Sequence, residues 1–281
     1  MKYSILDKFK NYSLQHRKLF VLLFSSIILL VFFGVLGHSF SVKISNHEEE
    51  FDEIQLLIDE IEKKDANIQN TLDLKEISKT VKGIDISSWQ GNIDFVALKN
   101  AGIEFVMIRV GFRNISNDEI HEDKNFKYNI SEANKVGILV GVYFYSTAIN
   151  EYEVLQEATF VLNLIKDYKV TYPVAYDMEA FDTGRLTDVS DERINYNALI
   201  FLDYFKSHGY EGMLYTNKAD LDNHWDLGRF ENYKIWYAHY IEDKSFNDEY
   251  EMWQYADNGR IDGIRGYVDL NEAYFAYELE E

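Results

Sequence analysis

Two acids, Asp177 and Glu179, sit near the end of YPVAYDMEAFD, residues 172–182, a stretch that otherwise reads as a buried strand. Successive side chains of a strand alternate faces, so acids two positions apart point to one side, about 6.5–7 Å apart along the chain. In an enclosed site, burial and mutual repulsion raise the pKa of one carboxyl, leaving an acid able to protonate a leaving group beside a charged neighbour. Cleavage of a glycosidic bond needs that combination. A lone D-x-E is also the pattern of strand-end carboxylates bound by Lys or loop amides, so the placement of the other acids decides its weight.

Asp85 lies in GIDIS, with Trp89 and Gln90 just after it, and Asp269 lies in YVDLN near the C-terminus. In a closed barrel the first and last strands are neighbours, so Asp85 and Asp269 are expected to meet at the rim where Asp177 and Glu179 emerge. Tyr143 and Tyr145 project from GVYFYS. Clustered carboxylates also bind Mg²⁺ or Ca²⁺. The aromatic residues Trp89, Tyr145, Trp236, Tyr237 and Trp253 suit a sugar better than a hydrated ion, so no metal is expected.

The elements that must position these residues begin at about Val81. Strands are read at 83–87, 105–111, 139–146, 173–179, 212–217, 234–240, 252–256 and 268–275, and helices at 94–101, 123–136, 151–168 and 190–208. Strand and helix in strict alternation imply a parallel sheet with right-handed crossovers, and the lack of helices between the last strands implies an antiparallel finish. The fold class is α/β, a barrel with an incomplete helical ring. Neither an internal repeat nor a Gly/Pro/Ser linker interrupts it.

Composition bounds the partners. A formal charge of −20 argues against nucleic acid, because phosphate binding needs clustered Lys and Arg. The chain has no Cys, which removes disulfides, thiolate metal sites and a Cys nucleophile. Aromatic residues make up 16% of it, with 21 Tyr and 4 Trp, a density that suits a surface stacking on sugars.

From Leu19 to Gly37 the chain reads LFVLLFSSIILLVFFGVLG without a charge, long enough to cross a hydrocarbon core of roughly 30 Å as a helix. Lys2, Lys8, Lys10, Arg17 and Lys18 precede it and the acidic run Glu48 to Glu50 follows. The positive-inside rule then puts residues 1–18 in the cytoplasm, 19–37 across the lipid bilayer and everything beyond outside the cell membrane. GHSFSV offers no A-x-A-like cleavage site, which favours an uncleaved anchor over a signal peptide. Between anchor and barrel, Phe51, Ile54, Ile58, Ile61, Ile68 and Leu72 follow steps of three and four, with Asp65 on the seam. Residues 38–80 are therefore expected to form an acidic helical stalk or linker, either a spacer or a coiled coil that dimerises the chain or joins it to an envelope complex.

The segments KGIDISSWQGNIDF, FVMIRVGFR, GVYFYSTA, YPVAYDMEAFD, MLYTN, IWYAHY and MWQYADNGRIDGIRGYVDLNEAYF, in this order, resemble the family 25 glycoside hydrolases, the Chalaropsis-type lysozymes. The resemblance covers about Val81 to Phe275 and makes 81–281 the catalytic domain. It implies a flattened TIM-like (β/α)5β3 barrel and hydrolysis, without a cofactor, of the β-1,4 bond between N-acetylmuramic acid and N-acetylglucosamine in peptidoglycan glycan strands. Carried over by position, Glu179 is the general acid, Asp177 the stabilising or attacking carboxylate, and Asp85 and Asp269 the acids of the first and last strands. Tyr143, Tyr145, Trp236 and Gln254 fall on groove positions, joined by Trp89 and Tyr215 as substrate-binding residues. Asp123, in GFRNISNDEIHED, matches the family's loop acid less recognisably. Two mechanisms stay open, attack by a groove carboxylate and attack by the substrate's own acetamido oxygen. Two other functions also remain, a non-catalytic peptidoglycan-binding part of an envelope-spanning assembly and hydrolysis of chitin-like sugars.

Overall fold

In the computed structural model, which describes residues 74–179, 181, 183–241 and 250–279, eleven strands appear in chain order. They are β1 (Leu74–Ile77), β2 (Val81–Ile86), β3 (Phe105–Arg113), β4 (Ile120–Glu122), β5 (Leu139–Tyr145), β6 (Val174–Asp177), β7 (Gly212–Asn217), β8 (Lys234–Ala238), β9 (Met252–Gly259), β10 (Val268–Ala273) and β11 (Ala276–Leu279). The helices are α1 (Phe95–Asn100), α2 (Phe126–Val136), α3 (Glu151–Ile165), α4 (Asp191–Ser207) and α5 (Lys218–Asn223). Side-chain caps start several of them: Asp94 accepts from the Ala97 amide, Asn150 from Glu153 and Ser190 from Arg193.

Strands β2, β3, β5, β6, β7, β8, β9 and β10 close into an eight-stranded barrel, with β4 added outside β3. Every barrel pair from β2 to β9 is parallel, and only β10 runs against both of its neighbours. The expected antiparallel finish is thus confined to β10. Residues 239–251 between β8 and β9 are long enough to cross back in parallel, and no helix forms among those of them that are described. A connection without a helical pattern in its sequence is thus no sign of a hairpin when it is long enough to cross over.

Alternation sorts the strand residues into two cores. Ile84, Val106, Ile108, Val140, Val142, Val174, Tyr176 and Leu214 point outward under the helices, where Tyr176 packs on Phe201 of α4 with ring centroids 5.1 Å apart. Val81, Phe105, Met107, Ala175, Met213, Tyr215, Trp236 and Met252 point into the barrel. Two inward positions must be glycine for the interior to close. A Cβ on Gly83 would lie 2.4 Å from the Phe105 ring, and one on Gly141 the same distance from the Met107 sulfur.

Leu74–Ile77, read from sequence as the end of the linker, belongs to the barrel domain. Strand β1 pairs antiparallel with β11, Leu74 opposite Leu279 and Ile77 opposite Ala276. Beside this ribbon, Tyr172 stacks on Phe105 and Phe275 and meets Tyr277 edge-on, which floors the barrel below the N-terminal ends of its parallel strands. Among the described residues no helix is long and apolar enough to cross a membrane. The expected span at 19–37, the cytoplasmic segment 1–18 and stalk residues 38–73 lie outside the described residues.

Candidate active site

Parallel strands deliver their C-terminal residues to one rim, and register decides which side chains meet there. Asp177 ends β6, level with Tyr145 of β5 on one side and Tyr215 of β7 on the other. Asp85 on β2 stands opposite Asp269 on β10 and beside Met107 on β3. Arg109 of β3 pairs in register with Tyr143 of β5. Alternation points all of these inward.

Asp177 and Glu179 form the first carboxyl pair. The strand ends at Asp177, so Glu179 sits on the segment just beyond it, half-buried at the mouth, while Asp177 is buried below. Their side chains hydrogen-bond to each other, closer than the spacing expected along an extended strand. Burial, then the nearby charges of Glu179 and Asp85, push the Asp177 carboxyl well above the usual range, against an opposing pull from Arg109. Burial and then Asp220 raise Glu179, and hydrogen bonds from Asp177 and Asn217 oppose that rise. The pair shares a proton, because two buried carboxylates in contact do not both ionise. One Asp177 oxygen, Oδ1, is buried and takes no hydrogen bond from the protein.

Asp85 and Asp269 form the second pair, and donor chemistry fixes its orientation. Trp236 Nε1 can only donate, and it gives its hydrogen bond to Asn271 Oδ1 at 2.8 Å. The Asn271 amide nitrogen must then point the other way, and it donates to Asp85 Oδ2 at 2.8 Å. Gln254 repeats the logic: its oxygen accepts from Tyr215 and Tyr240 at 3.2 and 2.8 Å, and its nitrogen donates to the same Asp85 oxygen at 2.8 Å. Asp85 is therefore an acceptor, raised by burial and eased by these bonds. Asp269, pushed up to about 8 by burial first and by Asp85 next, holds the proton of the pair.

Aromatic walls surround both pairs. Trp236 takes Tyr143 and Tyr215 edge-on, with centroids 5.9 and 4.7 Å away. Burial and the site carboxylates push the Tyr143 hydroxyl well up and that of Tyr145 to about 12, so both remain neutral donors. Of the ten residues given catalytic or substrate-binding roles from sequence, nine fall into this connected cluster, whereas Tyr237, counted with Trp253 among the aromatic residues that suit a sugar, packs in the outer core under the helices. The tenth, Trp89, is 84% exposed on the turn after β2.

Asp123 is buried behind the rim, where its Oδ2 accepts from Arg109 Nε and Nη2 at 2.9 and 2.8 Å and from the Ser88 amide at 3.0 Å. Arg109, Asn271 and Tyr240 were not anticipated. Two of them carried a signal: Arg109 is the one charge inside the apolar run FVMIRVG, and Asn271 follows Asp269 by two positions on the same strand face. Among the described residues no three His, Asp or Glu side chains are grouped to hold a metal ion.

This arrangement offers a carboxyl that can give a proton at the mouth, a buried partner beneath it and neutral hydroxyls around them. Residues 84–264 match the family model described as glycosyl hydrolases family 25. An autolytic lysozyme of Clostridium acetobutylicum is 29% identical over 197 residues, 68% of this chain and 55% of its own. Lysozyme M1 of Streptomyces globisporus is 26% identical over 212 residues, 68% of this chain and 67% of its own. The modular autolysin LytC of Streptococcus pneumoniae, solved with a synthetic peptidoglycan ligand, superposes with a TM-score of 0.61 at 26% identity, covering 69% of this chain and 47% of that one. The chain thus spans about half the length of the first and the last of these proteins.

Proposed function

The chain belongs to the glycosyl hydrolases of family 25, and on that premise we propose that it is a peptidoglycan hydrolase, a lysozyme cutting the β-1,4 bond between N-acetylmuramic acid and N-acetylglucosamine. The observation that carries this reading is the hydrogen-bonded pair of Asp177 and Glu179 at the aromatic-walled mouth. Relatives named as lysozymes supply the substrate class.

Glu179, the more exposed of the two, takes up the proton it shares with Asp177 and delivers it to the leaving oxygen, which leaves Asp177 ionised beside the reacting sugar. Two carboxyls that hydrogen-bond to each other leave no room for a sugar or a water between them, so they do not work from opposite faces as an inverting pair would, some 6.5–9.5 Å apart. Contact with Glu179 also brings Asp177 closer than the roughly 5–5.5 Å of an acid and nucleophile that flank the bond in a retaining pair, which favours attack by the substrate's acetamido oxygen. Asp177 Oδ1, buried without a hydrogen bond from the protein, accepts the acetamido N–H and stabilises the developing positive charge. Asp85 and Asp269 shape the field on the other side of the mouth, and Tyr143, Tyr145, Trp236, Tyr215 and Gln254 hold the glycan. No cofactor is required by these steps.

The apolar run 19–37 with its basic flank supports a single-pass anchor with the catalytic domain facing the wall. Protease added outside protoplasts then digests the barrel and leaves residues 1–18 protected; the reverse pattern overturns the anchor. For the reaction, purified peptidoglycan is digested and its new ends reduced with borohydride. Muramitol is the expected product. Glucosaminitol would move the cut to the other bond, and wall binding without new reducing ends would favour a non-catalytic binder.

A further inference from the structure

Strand β6 ends at Asp177, so the segment that carries Glu179 lies beyond the ladder and is held by other contacts. Two of them lead to one helix. Upstream, the Ser146 amide donates to the Asp177 carbonyl at 2.7 Å. The Ser146 hydroxyl in turn donates to Glu157 Oε2 at 2.6 Å, with the Tyr176 hydroxyl 3.0 Å away. Downstream, Arg185 Nη2 donates to Glu153 Oε1 at 2.7 Å. Glu153 and Glu157 stand one turn apart on the same face of α3.

Both acids are themselves fixed. The Glu153 amide donates to Asn150 Oδ1, its Oε2 accepts from the Ile149 amide and its carbonyl accepts from Arg113 Nη2, each at 3.0 Å. Arg113 Nε donates to Glu157 Oε1 at 2.6 Å. One guanidinium therefore joins the two anchor points. Arg113, Ser146 and Glu157 are buried, and a buried network whose members are satisfied is rigid.

Resting on the reading of Asp177 and Glu179 as the acids of the reaction, we propose that Ser146 and Arg185 are positioning residues and the first turns of α3 their platform. Ser146, backed by Glu157, places Asp177, and Arg185, held by Glu153, places the segment that presents Glu179. Displacing a reacting group by about 1 Å costs on the order of 100-fold in rate, so the platform acts on turnover per folded molecule.

The test measures kcat and KM per folded molecule for the full-length chain, Arg185→Met, Arg185→Lys and Ser146→Ala. Two substrates are used, soluble glycan strands and an artificial glycoside whose leaving group needs no protonation. On glycan strands Arg185→Met is expected to lose about 10- to 100-fold in kcat with KM within about twofold. Arg185→Lys, which keeps a cation for Glu153, should recover part of that loss. On the artificial glycoside Arg185→Met should run within about threefold of the native chain, because a misplaced Glu179 matters only where a proton is needed. Ser146→Ala should lose about tenfold on both substrates, because Asp177 serves both. A purely structural tether would lower the melting temperature and leave kcat per folded molecule unchanged. Unchanged kcat for Arg185→Met on glycan strands, or an equal loss on the two substrates, overturns its link to Glu179, and unchanged kcat for Ser146→Ala overturns its link to Asp177. Should Glu179→Gln itself remain active, the reading of Glu179 fails, a different outcome from an inactive Glu179→Gln beside a fully active Arg185→Met.

Discussion

Asp269 stands directly opposite Asp85 across the β2–β10 ladder, and their side chains hydrogen-bond, with Asp269 pushed up to about 8. A carboxyl whose folded-state pKa is raised binds more protons folded than unfolded. Its contribution to stability is whole below the unfolded value near 3.8 and is lost as pH rises through about 8. Asn cannot ionise and keeps a donor for Asp85. Asp269→Asn is therefore expected to melt above the native protein at pH 9, with the gap shrinking toward pH 4. Thermal melts across that range check it, and a gap independent of pH would contradict it.

Behind the mouth, Arg113 and Glu157 form a buried ion pair, Nε to Oε1 at 2.6 Å. Arg113 also holds the Asp118 and Glu153 carbonyls, while Ser146 donates to Glu157 Oε2 and its own amide donates to the Asp177 carbonyl. Burial pushes Glu157 up to about 7 even with Arg113 beside it. Arg113→Met strands that carboxylate, and its expected cost is about 3–5 kcal/mol at pH 8. The cost should be smaller at pH 5, where Glu157 takes up a proton. Adding Glu157→Gln should recover much of the loss, and denaturant melts at the two pH values measure all three variants.

Strand β1 tests where the barrel domain starts. A chain beginning at residue 68 keeps the β1–β11 ribbon beside Tyr172, Phe275 and Tyr277, and one beginning at residue 80 lacks β1. The shorter chain is expected to lose about 2 kcal/mol, lowering its melting temperature by roughly 4–8 °C. Its mouth lies at the other end of the barrel, so turnover per folded molecule should match that of the longer chain. Equal melting temperatures would make β1 an ornament.

What the sequence disclosed follows from the length and regularity of its signals. Strands such as FVMIRVGFR and helices such as that following Ser190 announce themselves by alternation or by caps; period two put Asp177 and Glu179 on one face, and the closure of a barrel brought Asp85 and Asp269 to the same rim. Leu74–Ile77 escaped because LKEI pairs only with the distant Ala276–Leu279, a contact no local pattern records. The parallel course of β9 escaped because the sequence between β8 and β9 carries no helical period. Register explains the rest: the placement of Asn271 and Gln254 on one Asp85 oxygen depends on neighbours far apart in sequence. Trp89 was singled out because it follows Asp85 closely, and its ring stands 84% exposed on the turn after β2.

The pair that interrupts YPVAYDMEAFD gives the most direct test. If Glu179 supplies the proton and Asp177 supplies charge and orientation, Glu179→Gln keeps shape and hydrogen bonding but removes the proton. Turnover on wall is expected to fall by at least about 10²- to 10⁴-fold, with melting little changed. Asp177→Asn should be severely impaired too, because the charge it supplies at the acetamido group is gone. The two losses differ on an artificial substrate whose leaving group needs no protonation. There the Glu179 variant should recover activity and the Asp177 variant should not, since positive charge still develops and still needs its partner. Asp85→Asn and Asp269→Asn should lose less than either, as residues that act on the field rather than on the bond. Near-normal wall hydrolysis by Glu179→Gln would make the pair structural and move the search for the proton donor across the mouth, to Asp85 and Asp269.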